Sequence, residues 1–324
     1  MVIWRCRVPA ISSPLPLGTF VKHIPAPLSP RQHRLPIHSN GVVATKAADS
    51  AALQALSHRQ REQIDRYVDT LLQWNQKMNL TAVREVDEVM ERHIEDSLAI
   101  IPPLQSSYIP HGVSHESISV VDVGSGAGLP GLVLAIARPD WQVTLLESMK
   151  KRCLFLEHAV SVTGLSNVHV VRGRAEDLGH DPCFREHFDV AVARAVAEMR
   201  VLAEYCLPLV RVGGLFIAAK GHDPEEEVKN AETAVQLMGA SVLQLCSVES
   251  HSPHGQRTAV ICIKCGSTPT KYPRLPGTLF QLIIDFRFSL DLFKVDFGAV
   301  THPVAWGKME PPPSWITTAA YWEQ

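Results

Sequence analysis

The sequence has no apolar run that is long enough to cross a membrane. A membrane-spanning helix needs about 20 consecutive apolar residues, whereas apolar runs such as 190–193 have the length of a strand. The sequence also lacks a Gly-X-Y repeat, which excludes a collagen-like chain, and its hydrophobic content of 46% over 324 residues excludes disorder throughout. We therefore expect a soluble, globular protein with a sizeable core and no membrane partner.

Cysteine is sparse and has no regular spacing. The seven cysteines are an odd number scattered over a long chain, unlike the dense, even set of a small secreted domain. Cys262 and Cys265 form a Cys-x-x-Cys pair, but no second pair accompanies them and no helix start follows. We interpret them as small residues at the end of a strand, and we predict reduced thiols and no metal site.

Acidic residues are missing from the first 48 positions. That segment holds six Lys and Arg, seven Pro and four Ser, and the first acid is Asp49. Subtracting its six positive charges from the net charge of −2 leaves −8 for the remainder. Such a composition is typical of an organelle transit peptide, and its prolines favour the chloroplast stroma over the mitochondrion, which stays the alternative. A disordered extension is the other interpretation of residues 1–48.

Periodic apolar residues after this segment predict a small helical module over 49–104. Ser57 and Gln60 have the spacing of a capping box, and apolar residues recur behind them at steps of three and four. A second periodic stretch is expected to end at Pro102 and the proline after it. Residues 105–117, rich in Ser and His, are predicted to be a linker loop.

Strand and helix patterns alternate from residue 118 onward. Strands are predicted over 119–123, 142–146, 168–171, 188–193, 215–220, 240–248 and 258–264, and helices over 129–137, 150–164, 196–210 and 224–238. Strands separated by helices predict a doubly wound α/β fold with a mostly parallel sheet. No helix separates the last two strands, so the final strand should run antiparallel.

A glycine-rich turn follows the first predicted strand. It contains Asp122, Gly124, Gly126 and Gly128, and Glu147 closes the second strand. Glycines let the backbone approach a nucleotide closely, and a carboxylate at a strand end can hold ribose hydroxyls. A dinucleotide and S-adenosylmethionine both fit this pattern. Asp122 favours S-adenosylmethionine, because a carboxylate repels pyrophosphate and attracts a sulfonium; a nicotinamide-dependent oxidoreductase is the alternative.

Several motifs together resemble one family of enzymes. The motifs occupy 122–131, 144–148, 174–176, 194–195, 213–214 and 220–221, with 74–75, 79–81 and 92–98 upstream. They resemble the bacterial-type 16S ribosomal RNA guanine-N7 methyltransferases, also called glucose-inhibited division protein B, here in a plant organellar version. The resemblance covers roughly residues 57–278, so a methyltransferase domain is expected over 118–278 and residues 279–324 form a tail outside the family pattern.

The resemblance implies a class I methyltransferase: a Rossmann-like doubly wound sheet with an antiparallel last strand. It also implies S-adenosylmethionine as cofactor and methylation of N7 of a guanine in a loop of 16S-type ribosomal RNA, free or in a precursor particle. N7 carries an in-plane lone pair, so methyl transfer needs placement but no general base. The alternatives are a class I methyltransferase with another substrate and a ribosome assembly factor without turnover. A monomer is favoured.

The resemblance also assigns roles to single residues. Cofactor binding is expected at Asp122, Gly124, Gly126, Gly128, Glu147, Ala175, Glu176 and Arg194, catalysis at Arg194, Asn79 and His93, and RNA binding at Arg174, Lys220 and Arg257. The alternatives are a satisfied core residue for His93, a cap of the next element for Asn79 and a hairpin residue for Arg257. Because the chain beyond residue 48 is acidic, RNA binding would depend on a local basic patch formed by Lys150, Lys151, Arg152, Arg172 and Arg174.

Overall fold

A seven-stranded sheet organises the computed structural model, which describes residues 51–108, 117–194, 197–248 and 257–274. The strands are β1 (Ser119–Val123), β2 (Gln142–Glu147), β3 (Val168–Arg172), β4 (Phe188–Arg194), β5 (Val210–Lys220), β6 (Ala240–Val248) and β7 (Arg257–Lys264). Their order is β3-β2-β1-β4-β5-β7-β6. Strands β1 to β5 are parallel, and β7 runs antiparallel to β5 and β6. The predicted Rossmann-like fold with an antiparallel last strand is confirmed.

The central strands are apolar on both sides because helices cover both faces of the sheet. Along β4, Val190 and Val192 face one hydrophobic core, whereas Ala191 and Ala193 face the other. All four are at most 1% exposed. Such continuous apolar strands are typical of a parallel sheet with both faces covered. Parallel pairing also brings the carboxyl ends of β1, β2, β4 and β5 to one edge of the sheet.

Ten α-helices are found in the described residues. They are α1 (Ala51–Gln54), α2 (His58–Met78), α3 (Val86–Val89), α4 (Asp96–Leu98), α5 (Ile101–Ser107), α6 (Gly131–Ala137), α7 (Lys150–Thr163), α8 (Ala175–Leu178), α9 (Met199–Cys206) and α10 (Glu225–Leu237). A π-helix (Met90–Glu95) joins α3 to α4, and a 3-10 turn (Leu207–Leu209) follows α9. None of these helices is long and apolar enough to span a membrane.

The N-terminal helices belong to the same core as one face of the sheet. The predicted capping box is present: the Gln60 backbone N–H donates to Ser57 Oγ at 3.4 Å, and the Ser57 N–H donates to Gln60 Oε1 at 2.9 Å. The Gln60 amide also donates to the carbonyls of Ile136 and Ala137 at the end of α6. Buried α2 residues such as Ile64 therefore share a core with β1 and β4.

Three sequence predictions need correction. The prolines at 102 and 103 do not end a helix; Pro102 and Pro103 lie in the first turn of α5, where the backbone N–H that proline lacks has no partner to lose. The predicted linker at 105–117 therefore begins inside α5, and 109–116 lie outside the described residues. The helix predicted over 196–210 is α9 alone, because the chain tightens at Pro208 and β5 already begins at Val210.

The two terminal segments predicted from the sequence lie outside the described residues. They are the basic segment 1–48 and the tail 279–324.

Candidate active site

Asp122 ties the glycine-rich turn to the sheet. It is 1% exposed near the end of β1, and its Oδ2 accepts a hydrogen bond of 3.0 Å from the Gly131 N–H at the start of α6. A Cβ at Gly131 would lie 2.7 Å from Asp122 Oδ2, so only glycine permits this approach. The other carboxylate oxygen, Oδ1, is buried and has no hydrogen-bond partner in the structure. One buried acceptor at this turn is therefore free for a ligand.

Glu147 holds the turn from the neighbouring strand. It ends β2 and is 3% exposed. Its Oε2 accepts from the Gly126 N–H at 3.0 Å, and its Oε1 accepts from the Met149 N–H at 2.8 Å. Arg152 lies 3.8 Å from the same carboxylate. Because each carboxylate oxygen has two lone pairs, Glu147 retains acceptor capacity for ribose hydroxyls beside the turn.

The turn needs its glycines for two different reasons. Gly124, Gly126 and Gly128 all have left-handed backbone angles, with φ of 72°, 56° and 87°. A Cβ at Gly128 would lie 2.9 Å from Leu132 Cγ, so this glycine also allows close packing. From α2, the Tyr67 hydroxyl donates to the Ala127 carbonyl at 2.6 Å. The N-terminal helices therefore hold the turn in place, a contact that sequence reasoning did not predict.

The charge of Asp122 fits a cationic ligand. Burial raises the pKa of Asp122 to about 6, although the Gly131 N–H and the nearby Arg194 oppose the shift. At neutral pH the carboxylate is therefore ionised but incompletely compensated. A sulfonium or ammonium would stabilise it, whereas a pyrophosphate would be repelled. The turn thus fits S-adenosylmethionine better than a dinucleotide, as the sequence predicted.

The residues after β3 line the same edge of the sheet. Ala175 and Glu176 begin α8 and are buried; their predicted place beside an adenine stays a prediction. Glu176 accepts from Arg174 Nη2 at 3.2 Å, and burial together with the Glu176 carboxylate raises the pKa of Tyr205 to about 12. Arg174 is about half exposed, so it remains accessible to RNA despite this contact.

A pocket of about 270 Å³ opens at the carboxyl ends of β4 and β5. Its lining residues are Arg92, His93, Asp96, Ile100, Arg194, Ala219, Lys220, Gly221, Val248, Arg257, Thr258 and Ala259. The structure therefore brings together four of the predicted residues: His93, Arg194, Lys220 and Arg257. Sequence reasoning gave no role to Arg92 or Asp96, although both lie in the 92–98 motif.

Arg194 links the pocket to the glycine-rich turn. It is the last residue of β4, and burial lowers the pKa of its guanidinium. The carboxylates of Asp96 and Asp122 favour its positive charge, whereas Arg257 opposes it. The guanidinium of Arg194 thus interacts with the carboxylate of the turn as well as with the carboxylate of the pocket. As predicted, Arg194 lies at the carboxyl end of a parallel strand.

His93 is a satisfied and neutral residue. Its Nδ1 lies 3.0 Å from the Arg92 carbonyl, which can only accept, so Nδ1 carries the proton. Its Nε2 then accepts from Thr81 Oγ1 at 2.7 Å. Burial and the nearby Arg194 lower the pKa of His93 to about 4. These contacts favour the core-residue interpretation: His93 positions the pocket wall, and both ring nitrogens are already engaged.

Asn79 is not among the pocket residues. It is exposed and caps the end of α2 in a left-handed conformation with φ of 51°. Asn75 organises the following loop instead: its Nδ2 donates to the carbonyls of Thr81 and Val83, and its Oδ1 accepts from the Thr81 N–H at 2.9 Å. Asn75 therefore holds Thr81 against His93. Asn79 therefore caps the end of the preceding helix and not, as the alternative had it, the next element, whose N-cap is Glu85.

Lys220 contributes to the pocket wall but is held by the protein. Its Nζ donates to the Ala197 carbonyl at 2.9 Å and to Glu227 Oε1 at 2.7 Å. The same Glu227 oxygen accepts from the Met199 N–H. The ammonium therefore connects β5 with the starts of α9 and α10, which reduces its availability to RNA phosphates. The position of Glu227 depends on tertiary packing, so no pattern in the sequence predicted this contact.

The predicted basic patch lies beside the cofactor edge. Lys150, Lys151, Arg172 and Arg174 are exposed at the start of α7 and the end of β3, and Arg152 is half-buried. The patch and the pocket are both at the carboxyl ends of the parallel strands.

Comparison with known proteins gives consistent matches. The GidB family, described as rRNA small subunit methyltransferase G, matches residues 60–257. "Ribosomal RNA small subunit methyltransferase G" of Alkaliphilus metalliredigens is 43% identical over 69% of this chain and 90% of its own length. The protein of the same name from Acetivibrio thermocellus is 41% identical over 67% of this chain and 86% of its own length. Among solved structures, Methanococcus jannaschii fibrillarin pre-rRNA processing protein is 17% identical, covers 47% of this chain and 68% of its own, and has a TM-score of 0.39.

Proposed function

This chain belongs to the rRNA small subunit methyltransferase G family, and from that premise we propose that it methylates N7 of a guanine in small-subunit ribosomal RNA, with S-adenosylmethionine as methyl donor. One observation carries the proposal: an acidic turn and a basic pocket meet at Arg194 on a single edge of the sheet. The turn suits a cationic donor, and the pocket suits a base attached to phosphates.

The chain's own residues bind and orient the two reactants. Asp122 and Glu147 hold the donor at the turn, with Ala175 and Glu176 beside its adenine. When bound, the donor supplies a methyl group whose carbon–sulfur bond breaks as the N7 lone pair forms the new carbon–nitrogen bond, which leaves a thioether and a cationic purine. The pocket places the guanine in line with that methyl group and excludes water from it.

The protonation state of the site agrees with a reaction that needs no general base. N7 of guanine has no proton to lose before it attacks. His93 is neutral, and both of its ring nitrogens are engaged with Thr81 and Arg92. The expected rate enhancement therefore comes from positioning and electrostatics. The side chains of the pocket have no proton-transfer step to perform.

The target guanine lies in a loop rather than in a regular helix. The major groove of A-form RNA is too deep and narrow for side chains to reach N7, so the base must be accessible or extruded. Phosphates then meet Arg174, Arg257 and the basic patch at the start of α7. The net charge of the chain beyond residue 48 is negative, so we propose a ribosomal precursor particle as substrate, because the particle adds surface for binding. The monomer favoured by the sequence stays a prediction.

Methyl transfer to small-subunit particles tests the function. Particles lacking the modification are incubated with the enzyme and methyl-labelled S-adenosylmethionine, and mass mapping locates the label. We expect one N7-methylguanine per particle. Glu147→Gln should lower cofactor affinity at least 10-fold, whereas Glu157→Gln, an exposed acid on α7, should not. Label in another molecule would indicate a different methyltransferase, and particle binding without cofactor affinity would indicate an assembly factor.

We also propose that residues 1–48 direct the protein to the plastid stroma. The basic, acid-free composition of this segment supports the proposal. A fluorescent protein fused behind residues 1–48 should enter chloroplasts, and the same fusion with the six basic residues replaced by Gln should stay outside. Import into mitochondria instead would establish the alternative destination.

A further inference from the structure

Asp96 is an unusual residue in the basic pocket. Among the described residues that line this pocket, it is the one carboxylate, and Arg92, Arg194, Lys220 and Arg257 line the same pocket. It begins α4 directly after the π-helix and is 6% exposed. A pocket built only to hold phosphate gains nothing from a buried carboxylate, because two anions repel each other. Asp96 therefore points to a ligand that also carries hydrogen-bond donors.

The hydrogen bonds of Asp96 are incomplete. Its Oδ2 accepts from Arg257 Nε at 3.2 Å, but its Oδ1 is buried and has no hydrogen-bond partner in the structure. A buried acceptor without a donor costs about 1–3 kcal/mol, and more when it is charged. Buried polar groups in folded proteins are normally satisfied, so an unsatisfied one calls for a specific explanation. A ligand donor that entered from the pocket would supply the missing bond.

We propose that Asp96 recognises the Watson–Crick edge of the target guanine by accepting hydrogen bonds from N1–H and the N2 amino group. This inference rests on the proposed function. Guanine is the base with two adjacent donors on that edge; adenine and cytosine pair a donor with an acceptor, and uracil has one donor between two acceptors. A carboxylate therefore selects guanine, and the bonds are charge-assisted. Extruded bases are commonly read at this edge.

The geometry of the base suits the reaction at N7. N1 and N2 lie on the opposite side of the purine from N7, so a guanine held by Asp96 keeps N7 free. Arg194 lines the pocket and ends β4, which pairs directly with β1, the strand that leads into the donor-binding turn. The volume of about 270 Å³ is small for a ligand site, since such sites usually span roughly 300–1,000 Å³. It suits a single base.

Asp96 also interacts with the charge that develops during the reaction. When N7 gains the methyl group, the purine becomes cationic and its N1–H becomes a stronger donor. The hydrogen bond to Asp96 therefore strengthens toward the transition state, and a contact of that kind raises kcat as well as affinity. Loss of the carboxylate should accordingly lower kcat and not only raise KM.

Inosine provides the test, because it lacks the N2 amino group but keeps N7, N1–H and O6. Small-subunit particles are reconstituted with guanosine or inosine at the methylated position, and kcat/KM is measured on both. The wild-type enzyme should prefer guanosine about 10-fold, the effect of one lost hydrogen bond of about 1.4 kcal/mol. Asp96→Asn should lose about 100-fold on guanosine and show less than 3-fold preference between the two particles.

Arg257→Gln is the matched control. It removes the cation that contacts Asp96 but leaves the carboxylate, so the preference for guanosine should remain. Cofactor affinity, measured by calorimetry, should be unchanged in both variants if the fold is intact.

Two results would overturn the inference while the function stands: equal wild-type rates on the two particles, or an Asp96→Asn enzyme that keeps the wild-type preference. The first result does not depend on the folding of any variant. Absence of methylation of the guanosine particle by the wild-type enzyme would instead contradict the proposed function, and the inference with it.

Discussion

Asp122→Asn should have opposite effects on stability and on cofactor binding. The buried charge of Asp122 destabilises the folded protein, but it strengthens the binding of a cationic cofactor. Burial raises the pKa of Asp122 from 3.8 to about 6. With 1.36 kcal/mol for each pKa unit, the ionised carboxylate costs the fold about 3 kcal/mol at neutral pH. Asparagine has the shape of the protonated acid, and its carbonyl oxygen can still accept from the Gly131 N–H. It introduces unpaired amide hydrogens at a cost of about 1 kcal/mol.

The expected net gain is about 2 kcal/mol in the free energy of unfolding. For a domain of this size, it corresponds to a rise in Tm of about 4–8 °C. The sign of the pH dependence follows from the direction of the shift. The folded state binds a proton more tightly than the unfolded state, so the penalty is complete above pH 6 and disappears as the pH falls toward 3.8. The advantage of the variant should disappear with it.

Thermal melts at pH 7.5 and pH 4.5, with calorimetry of S-adenosylmethionine binding at pH 7.5, check this prediction. The variant should melt higher than the wild type at pH 7.5 only, and should bind the cofactor at least 10-fold more weakly. Asp69→Asn, which changes an exposed acid on α2, should alter neither property. A variant that melts lower at both pH values would mean that Asp122 is only a structural tie. Unchanged cofactor affinity would refute the argument that Asp122 compensates a cation.

Two further predictions concern the supports of the site. His93→Gln should reduce the loss of stability on acidification, because the pKa of His93 is lowered to about 4 in the fold and the wild type therefore loses stability as the pH falls from 6.5 toward 4. Thermal melts of both proteins at pH 7 and pH 5 measure this loss. Equal losses in the two proteins would contradict a neutral, engaged His93. Gly131→Ala should lower Tm by several degrees and weaken cofactor binding, because the Cβ of the alanine would lie 2.7 Å from Asp122 Oδ2. An unchanged melting curve would show that the turn tolerates a side chain at this position.

The sequence predicted the sheet well because its signals are local. Strands β1 and β6 have the predicted limits, and the ends of the others except β5 differ by one residue at most. Each strand is a short apolar run bounded by turns, and such patterns depend little on distant residues. Strand β5 begins five residues earlier than predicted because its parallel neighbour β4 extends the pairing back to Val210, where Val210 pairs with Phe188 beyond a shift in register. The helix boundaries at Pro102 and Pro208 also depended on packing, since proline suits either a helix start or its end.

The candidate site was predictable where backbone topology alone places a residue. Arg194 and Glu147 each end a parallel strand, so the fold alone predicts that both residues lie at the same edge of the sheet. The contacts of Asp96 with Arg257 and of Tyr67 with the turn join residues that are distant in sequence. No periodicity or spacing contains that information. The residues that sequence reasoning missed are therefore those whose role depends on tertiary contacts.

The acidic character of the chain is compatible with RNA binding because dissolved salt screens electrostatic interactions over short distances. At physiological ionic strength the Debye length is about 8 Å, so exposed acids farther away than this contribute little to the potential at the pocket. The pocket lining contains Arg92, Arg194 and Arg257, with Asp96 as the one described carboxylate. Under the proposed function, RNA would meet these cations, and the cationic donor would meet Asp122 and Glu147 on the adjoining strands. Opposite charges therefore lie side by side along one edge of the sheet, and each reactant is attracted to the part of that edge where its own charge is complemented.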